Sequence, residues 1–217
     1  MSDLSQNRKR FLLIFLILLP LAGVVFSVLL IKQITNEKHQ REAALPTYGV
    51  VPDFHLTEAS AKPISLADLK GKVWVADFIY THCAGSCPMM TSELSRLDTI
   101  LRRMPEVQFV SITVDPNRDT PAELAQYAEE NHLSRSRWYF LTGDYQAIRS
   151  LAKNGFHLPV ADSANEEGLA THSARFALVD QNATIRGYYD GTDTSDIKRL
   201  LTDVGTVVQM ENPDDNN

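Results

Sequence analysis

Two thiols with three residues between them are the groups in this chain best able to do chemistry. Cys83 and Cys87 are its only cysteines, and they sit in Thr81-His82-Cys83-Ala84-Gly85-Ser86-Cys87-Pro88. An apolar run from Val73 to Tyr80 precedes the motif, and a helix-like stretch from Pro88 follows it. Such a pair can close a disulfide or hold a soft metal as two thiolates. A purely structural disulfide would close a loop of only five residues. The chain-entropy model gives that staple about 2 kcal/mol, against about 4.7 for a 100-residue loop. A domain that can build its own core gains little from it, so redox or metal chemistry is the stronger expectation.

The elements that must position the pair follow from hydrophobic period and punctuation. Val50 to Leu56 is expected as a first strand. Ile64 to Lys72 is expected as a turn of helix with a Gly71 stop. Lys72 to Tyr80 and Val107 to Val114 are expected as buried strands, with a helix from Pro88 to Met104 between them. Thr120-Pro121 supplies an N-cap and a proline at the first helical position, so a helix is expected to about Asn131. Trp138 to Leu141 is a strand, Asp144 to Asn154 a helix, and Ala174–Val179 with Thr184–Tyr189 a hairpin. Thr194 to Val208 closes the chain as a helix. Strands alternating with helices imply an α/β fold, a mixed central sheet with a parallel core flanked by helices. A reactive pair at the carboxyl end of a strand sits where such sheets place their sites. Cysteines at i and i+4 on a first helical turn would share a face, and the helix N-terminus would favour their thiolates.

The ends are unlike the middle. Phe11 to Ile31 are 21 residues without a charge. At about 1.5 Å per residue they match a bilayer core of about 30 Å, so 11–31 is expected as a transmembrane anchor. The cluster Arg8-Lys9-Arg10 before it argues for a cytoplasmic N-terminus, residues 1–10. No small-residue cleavage site follows, and Val24 stands where a lipoprotein signal would need cysteine. Residues 32–46 are expected as a linker, 47–208 as one domain, and 209–217 as a disordered acidic tail. Beyond residue 44 the chain carries 15 Lys and Arg against 24 Asp and Glu. This acidity argues against a nucleic-acid partner.

At the motif a resemblance enters. Phe78-Ile79-Tyr80-Thr81-His82-Cys83 with Cys87-Pro88, then Ile112-Thr113-Val114-Asp115-Pro116-Asn117-Arg118-Asp119-Thr120-Pro121, then Thr171-His172-Ser173 before a strand ending in Val179-Asp180, resemble the Sco/SenC family of copper-binding proteins in the thioredoxin-like superfamily. The family usually has Pro and an acidic residue between its cysteines, where this chain has Ala84-Gly85-Ser86. The resemblance implies a thioredoxin-like fold and a copper site of Cys83, Cys87 and His172. Cu(I) or Cu(II) would be held there, the two cysteines also forming a redox-active disulfide. It further implies copper delivery in cytochrome c oxidase assembly, with an oxidase copper subunit or another copper chaperone as partner. His172 lies 85 residues after Cys87, so only the fold can bring it in.

Two further residues are candidates for an outer role. His82 adjoins the first cysteine, and Asp115 ends a strand where it could hydrogen-bond toward the site. His39, His55, His132 and His157 are isolated. Met89 and Met90 follow the motif, where thioethers can bind Cu(I) but helical Met more often fills the core. The alternative function is thiol–disulfide exchange or redox sensing not dedicated to copper, with a thiol reductant as partner. His172 discriminates, since a metal site uses it and simple exchange does not. On either reading the domain faces the periplasm or an equivalent extracytoplasmic space, held to the inner membrane by a single span.

Overall fold

The structure is a computed structural model and describes residues 19, 22–33, 45–83, 85–158 and 174–211. The chain divides into two compact units, residues 1–44 and 45–217. In the first, residues 22–33 are helical. Among the described residues no helix is long and apolar enough to cross a membrane. Residues 11–18, 20 and 21 of the expected anchor, 34–44 of the expected linker and 212–217 of the expected tail lie outside the described residues.

The second unit is built on one sheet of seven strands in the order β2-β1-β5-β4-β3-β6-β7. The strands are β1 (His55–Glu58), β2 (Pro63–Ser65), β3 (Val73–Ile79), β4 (Val107–Thr113), β5 (Trp138–Thr142), β6 (Arg175–Val179) and β7 (Ile185–Asp190). The helices are α1 (Leu66–Leu69), α2 (Cys87–Ile100), α3 (Pro121–Glu130), α4 (Tyr145–Ser150, running on into a wider π turn at Leu151–Gly155) and α5 (Thr194–Glu211). β3, β4 and β5 are mutually parallel, while β6 and β7 add antiparallel pairing at one edge and β1 and β2 at the other. The expected mixed α/β sheet with a parallel core is therefore present.

Strand alternation divides the core between the two faces of the sheet. Val73, Val75 and Ile79 of β3 pack with Met90, Leu94 and Leu97 of α2, Leu124 of α3 and Leu200 of α5. Trp74 and Ala76 face the other way, onto Leu66, Leu69, Ile148 and Phe156. Parallel strands covered on both faces are buried almost throughout and mostly apolar, and β3 and β4 are so, interrupted by Asp77 in one and by Gln108, Ser111 and Thr113 in the other. Gly71 turns the chain from α1 into β3 with φ of 78°, a conformation that suits glycine.

Three expectations are corrected. The first strand is His55–Glu58 rather than 50–56, because Val50 instead makes an isolated bridge to Thr184. The sequence reading missed β2, a three-residue edge strand that begins at a proline. The hairpin pairs 175–179 with 185–190, with a register shift between Leu178 and Val179. Residues 45–51 lie along the hairpin turn, where Tyr48 N–H donates to Ile185 O (2.9 Å) and Val51 N–H to Ala183 O (2.8 Å).

Candidate metal and dithiol centre

β3 ends at Ile79, and its pairing with β4 extends one step further through Val114 N–H to Ile79 O at 2.8 Å. The chain then turns back, Cys83 N–H donating to Tyr80 O at 3.2 Å, and α2 begins at Cys87 with Pro88 behind it. Both cysteines are buried free thiols, 8% and 5% exposed. They are not on one helical turn as expected: Cys83 lies in the loop and only Cys87 is helical, because α2 is capped at Ser86. The fold still brings the two thiols close enough for each to shift the other's ionisation.

The two thiols are unequal. Burial alone would raise Cys83. Donation from the Cys87 thiol, the Cys87 and Gly85 N–H groups and Tyr80 outweighs burial and holds Cys83 below an ordinary cysteine. The Gly85 N–H reaches Cys83 Sγ at 3.4 Å. Cys87 is pushed up to about 12, first by burial, then by its hydrogen bond to Cys83 and by the nearby Cys83 and Asp77 charges. The helix N-terminus does not activate both thiols as expected, since desolvation prevails at Cys87. In the metal-free dithiol Cys83 is the sulfur that ionises and Cys87 keeps its proton.

Around the pair lie groups that sequence reasoning passed over. Asp119 is fully buried in the loop between β4 and α3. Its carboxylate accepts the Thr81 hydroxyl at 2.6 Å, the Thr81 N–H at 3.1 Å and the Thr113 hydroxyl. Thr81 Oγ1 also meets His82 Nδ1 at 2.9 Å, and His82 is exposed. Asp115 pairs with Arg118 and, among the described residues, receives no bond from the cysteine loop, whereas Asp119, four residues on, does reach the motif. The signal was available: Asp119 stands in the same quoted segment. Asp77, six residues before Cys83, is buried on the α2 side of β3. Its Oδ1 accepts the Ser111 hydroxyl at 2.6 Å, and Ser111 in turn accepts Trp138 Nε1–H at 2.9 Å. Asp77 Oδ2 is buried without a partner among the described residues, and burial pushes this carboxyl up to about 7. Tyr127 of α3 bonds Thr91 of α2 at 2.7 Å.

Residues 159–173, and with them His172, lie outside the described residues, as does Ala84. Among the described residues no three His, Cys, Asp or Glu gather as a metal site. The donors that the fold does assemble are two thiols, a set suited to a soft ion such as Cu(I) that takes few ligands. A cleft of about 430 Å³ lies beside α2, lined by Met89, Glu93, Arg96, Thr192, Asp193 and Lys198, but neither cysteine lines it. The chemistry is in the buried pair rather than in this cleft.

A mixed α/β sheet with a parallel core and a dithiol between strand and helix defines a thioredoxin-like domain. Within that class, the SCO1/SenC family model matches residues 42–209, and the chain belongs to this family. A SCO1 protein homolog of Bacillus subtilis is 34% identical over 159 residues, 72% of this chain and 81% of that one. The solved structure of BsSco, described as a member of the Sco family of cytochrome c oxidase assembly proteins with a disulfide switch, is 31% identical. It covers 76% of this chain and 95% of its own, with a TM-score of 0.66. Arabidopsis thaliana ScoI, solved with copper bound, is 27% identical and covers 74% and 99%, with a TM-score of 0.61.

Proposed function

We propose that this chain is a membrane-anchored copper-binding protein that holds copper through Cys83, Cys87 and His172 and delivers it during assembly of a respiratory cytochrome oxidase. The supporting observation is the pair of buried free thiols just beyond the carboxyl end of β3, in a family whose relatives include a copper-bound protein and an oxidase assembly factor. Bound copper supplies a soft cation that draws both sulfurs into thiolate form. Cys83 is ready to ionise, whereas Cys87 must give up a proton that burial holds tightly. The chain re-enters the described fold at Ala174, two residues after His172. There Ala174 O accepts Gly191 N–H at 2.6 Å, and an added Cβ at Gly191 would stand 3.2 Å from Met90 of α2. Ala174 is thereby held beside the turn that packs against Met90 in the first turn of α2. The uncharged span 11–31 anchors the protein in the inner membrane, and Arg8-Lys9-Arg10 keeps the N-terminus in the cytoplasm and the domain in the periplasm or its equivalent.

A second reading is dithiol exchange with an oxidase subunit or a thiol reductant. The inequality of the thiols favours it: Cys83 would attack a partner disulfide and Cys87 would resolve the intermediate. Copper titration of the reduced, purified protein separates the two. One copper should bind, and Cys83→Ser or Cys87→Ser should cost more than the roughly 10–100-fold typical of losing an outer-shell partner. His172→Ala should weaken binding yet leave the Cys83–Cys87 disulfide able to form. Wild-type copper affinity in either serine variant would place the site elsewhere, and wild-type affinity in His172→Ala would favour plain exchange.

A further inference from the structure

We infer that His82 is a surface relay ligand for copper, held by an Asp119–Thr81 clamp so that its Nε2 lone pair faces outward. The inference rests on the copper reading above and names the residue through which copper, as cargo, enters and leaves the buried thiols.

The argument begins with the single proton on the Thr81 hydroxyl. Thr81 Oγ1 donates it to Asp119 Oδ1 at 2.6 Å. Its contact with His82 Nδ1 at 2.9 Å must then be donation from the imidazole into the Thr81 oxygen. A neutral imidazole whose Nδ1 carries the proton has its lone pair on Nε2. Asp119 is fully buried and, among the described residues, pairs with no Lys or Arg. Its charge is met by the Thr81 hydroxyl, the Thr81 N–H and the Thr113 hydroxyl. A carboxylate desolvated without a cation costs stability, and here two of its three bonds go to the residue that orients His82.

Placement supplies the purpose. The thiols are 8% and 5% exposed, so an ion arriving from solvent meets the protein before it meets sulfur. His82 adjoins Cys83 in the chain and is exposed. Imidazole of this tautomer is a copper ligand that needs no deprotonation. The transfer is ligand exchange without change of oxidation state: Cu(I) leaves its donor for Nε2, then passes to the Cys83 and Cys87 sulfurs, with Cys87 giving its thiol proton to water and Cys83 doing the same where it is still protonated. The reverse order unloads it. Because the imidazole is already oriented, the step loses little rotamer freedom.

The test has one arm without metal and one with it. In the copper-free full-length protein at about pH 8, nitrogen-detected NMR of the histidine rings should find His82 as the Nδ1–H tautomer, and Thr81→Val should turn it to Nε2–H. In stopped-flow transfer from a Cu(I)–chelate, His82→Ala should slow both loading and extraction by about tenfold while equilibrium affinity holds within about twofold. Thr81→Val should slow both rates less, and His55→Ala, on an exposed histidine elsewhere, should change neither. An Nε2–H tautomer in the wild type overturns the proposal. So do unchanged rates in His82→Ala, or an affinity loss as large as the rate loss, which would make His82 a resident ligand. Wild-type protein that takes up no copper defeats the underlying reading and this one with it, whereas normal affinity with unaltered rates in His82→Ala defeats this one alone.

Discussion

Asp77 shows how one buried group can set a pH dependence for the whole domain. In the fold its carboxyl holds a proton up to about pH 7, against 3.8 for the free group. Between those values the native state binds more protons than the unfolded chain. The stability this group contributes is therefore full at low pH, falls as pH rises from about 4 to 7, and stays low above that. Asp77→Asn keeps the acceptor for Ser111 and removes the charge. It should stabilise the domain at pH 8 by on the order of 2 kcal/mol and give no gain near pH 4, as read from urea unfolding at both values. A gain that is the same at both pH values would mean that the carboxyl does not titrate on folding. At this scale the sequence was only partly legible. The cysteine pair stood out by spacing. Asp77 and Asp119 did not, because an acid inside an apolar run or a turn segment acquires its meaning only from the partners that burial selects.

Among elements, α2 matters most, since it carries Cys87 and covers the face of β3 behind the site. Its position depends on Gly191 in the turn after β7. A Cβ there would stand 2.7 Å from Phe176 Cζ and 3.2 Å from Met90 Cγ, and both side chains are fully buried. Neither ring nor thioether can retreat without opening the core. Gly191→Ala should cost about 1–3 kcal/mol in thermal or urea unfolding. It should also disturb the first turn of α2, seen as an altered Cys87 alkylation rate. Unchanged stability would mean that the turn shifts freely. Most elements were legible, because hydrophobic period and the Thr120-Pro121 start mark them. β2 was not, since three edge residues beginning with proline carry no period. The broadening of α4 into a π turn was also invisible, because the sequence there continues as an ordinary helix.

At the scale of the molecule, the fold was legible from strand and helix alternation, while the site was legible only in its local half. Cys83 and Cys87 are neighbours in sequence. Any contribution from His172 depends on the path of residues 159–173, which no spacing rule encodes. The proposed placement is tested directly. Protease added to spheroplasts should digest the domain from Thr47 onward, and the protein should stay in the membrane through a carbonate wash. A domain protected until the membrane is dissolved would reverse the orientation, and release by the wash would exclude an uncleaved anchor.

The antiparallel partner of the strand that leads into the cysteines comes late in the chain. Trp74 of β3 pairs with Val179 of β6, about a hundred residues further on. On the proposed placement, a domain exported from its anchored side outward therefore delivers both thiols well before the strand that closes that side of the sheet. In the interval β3 has an open edge, and the thiols that follow it would stand, on that placement, in an oxidising space with the covering unfinished. The newly emerged protein should accordingly be trapped by alkylation as the disulfide before any dithiol appears; dithiol first would show that closure outruns oxidation. On that order of events, the proposed reductant would act at the birth of each molecule, before any first load of metal.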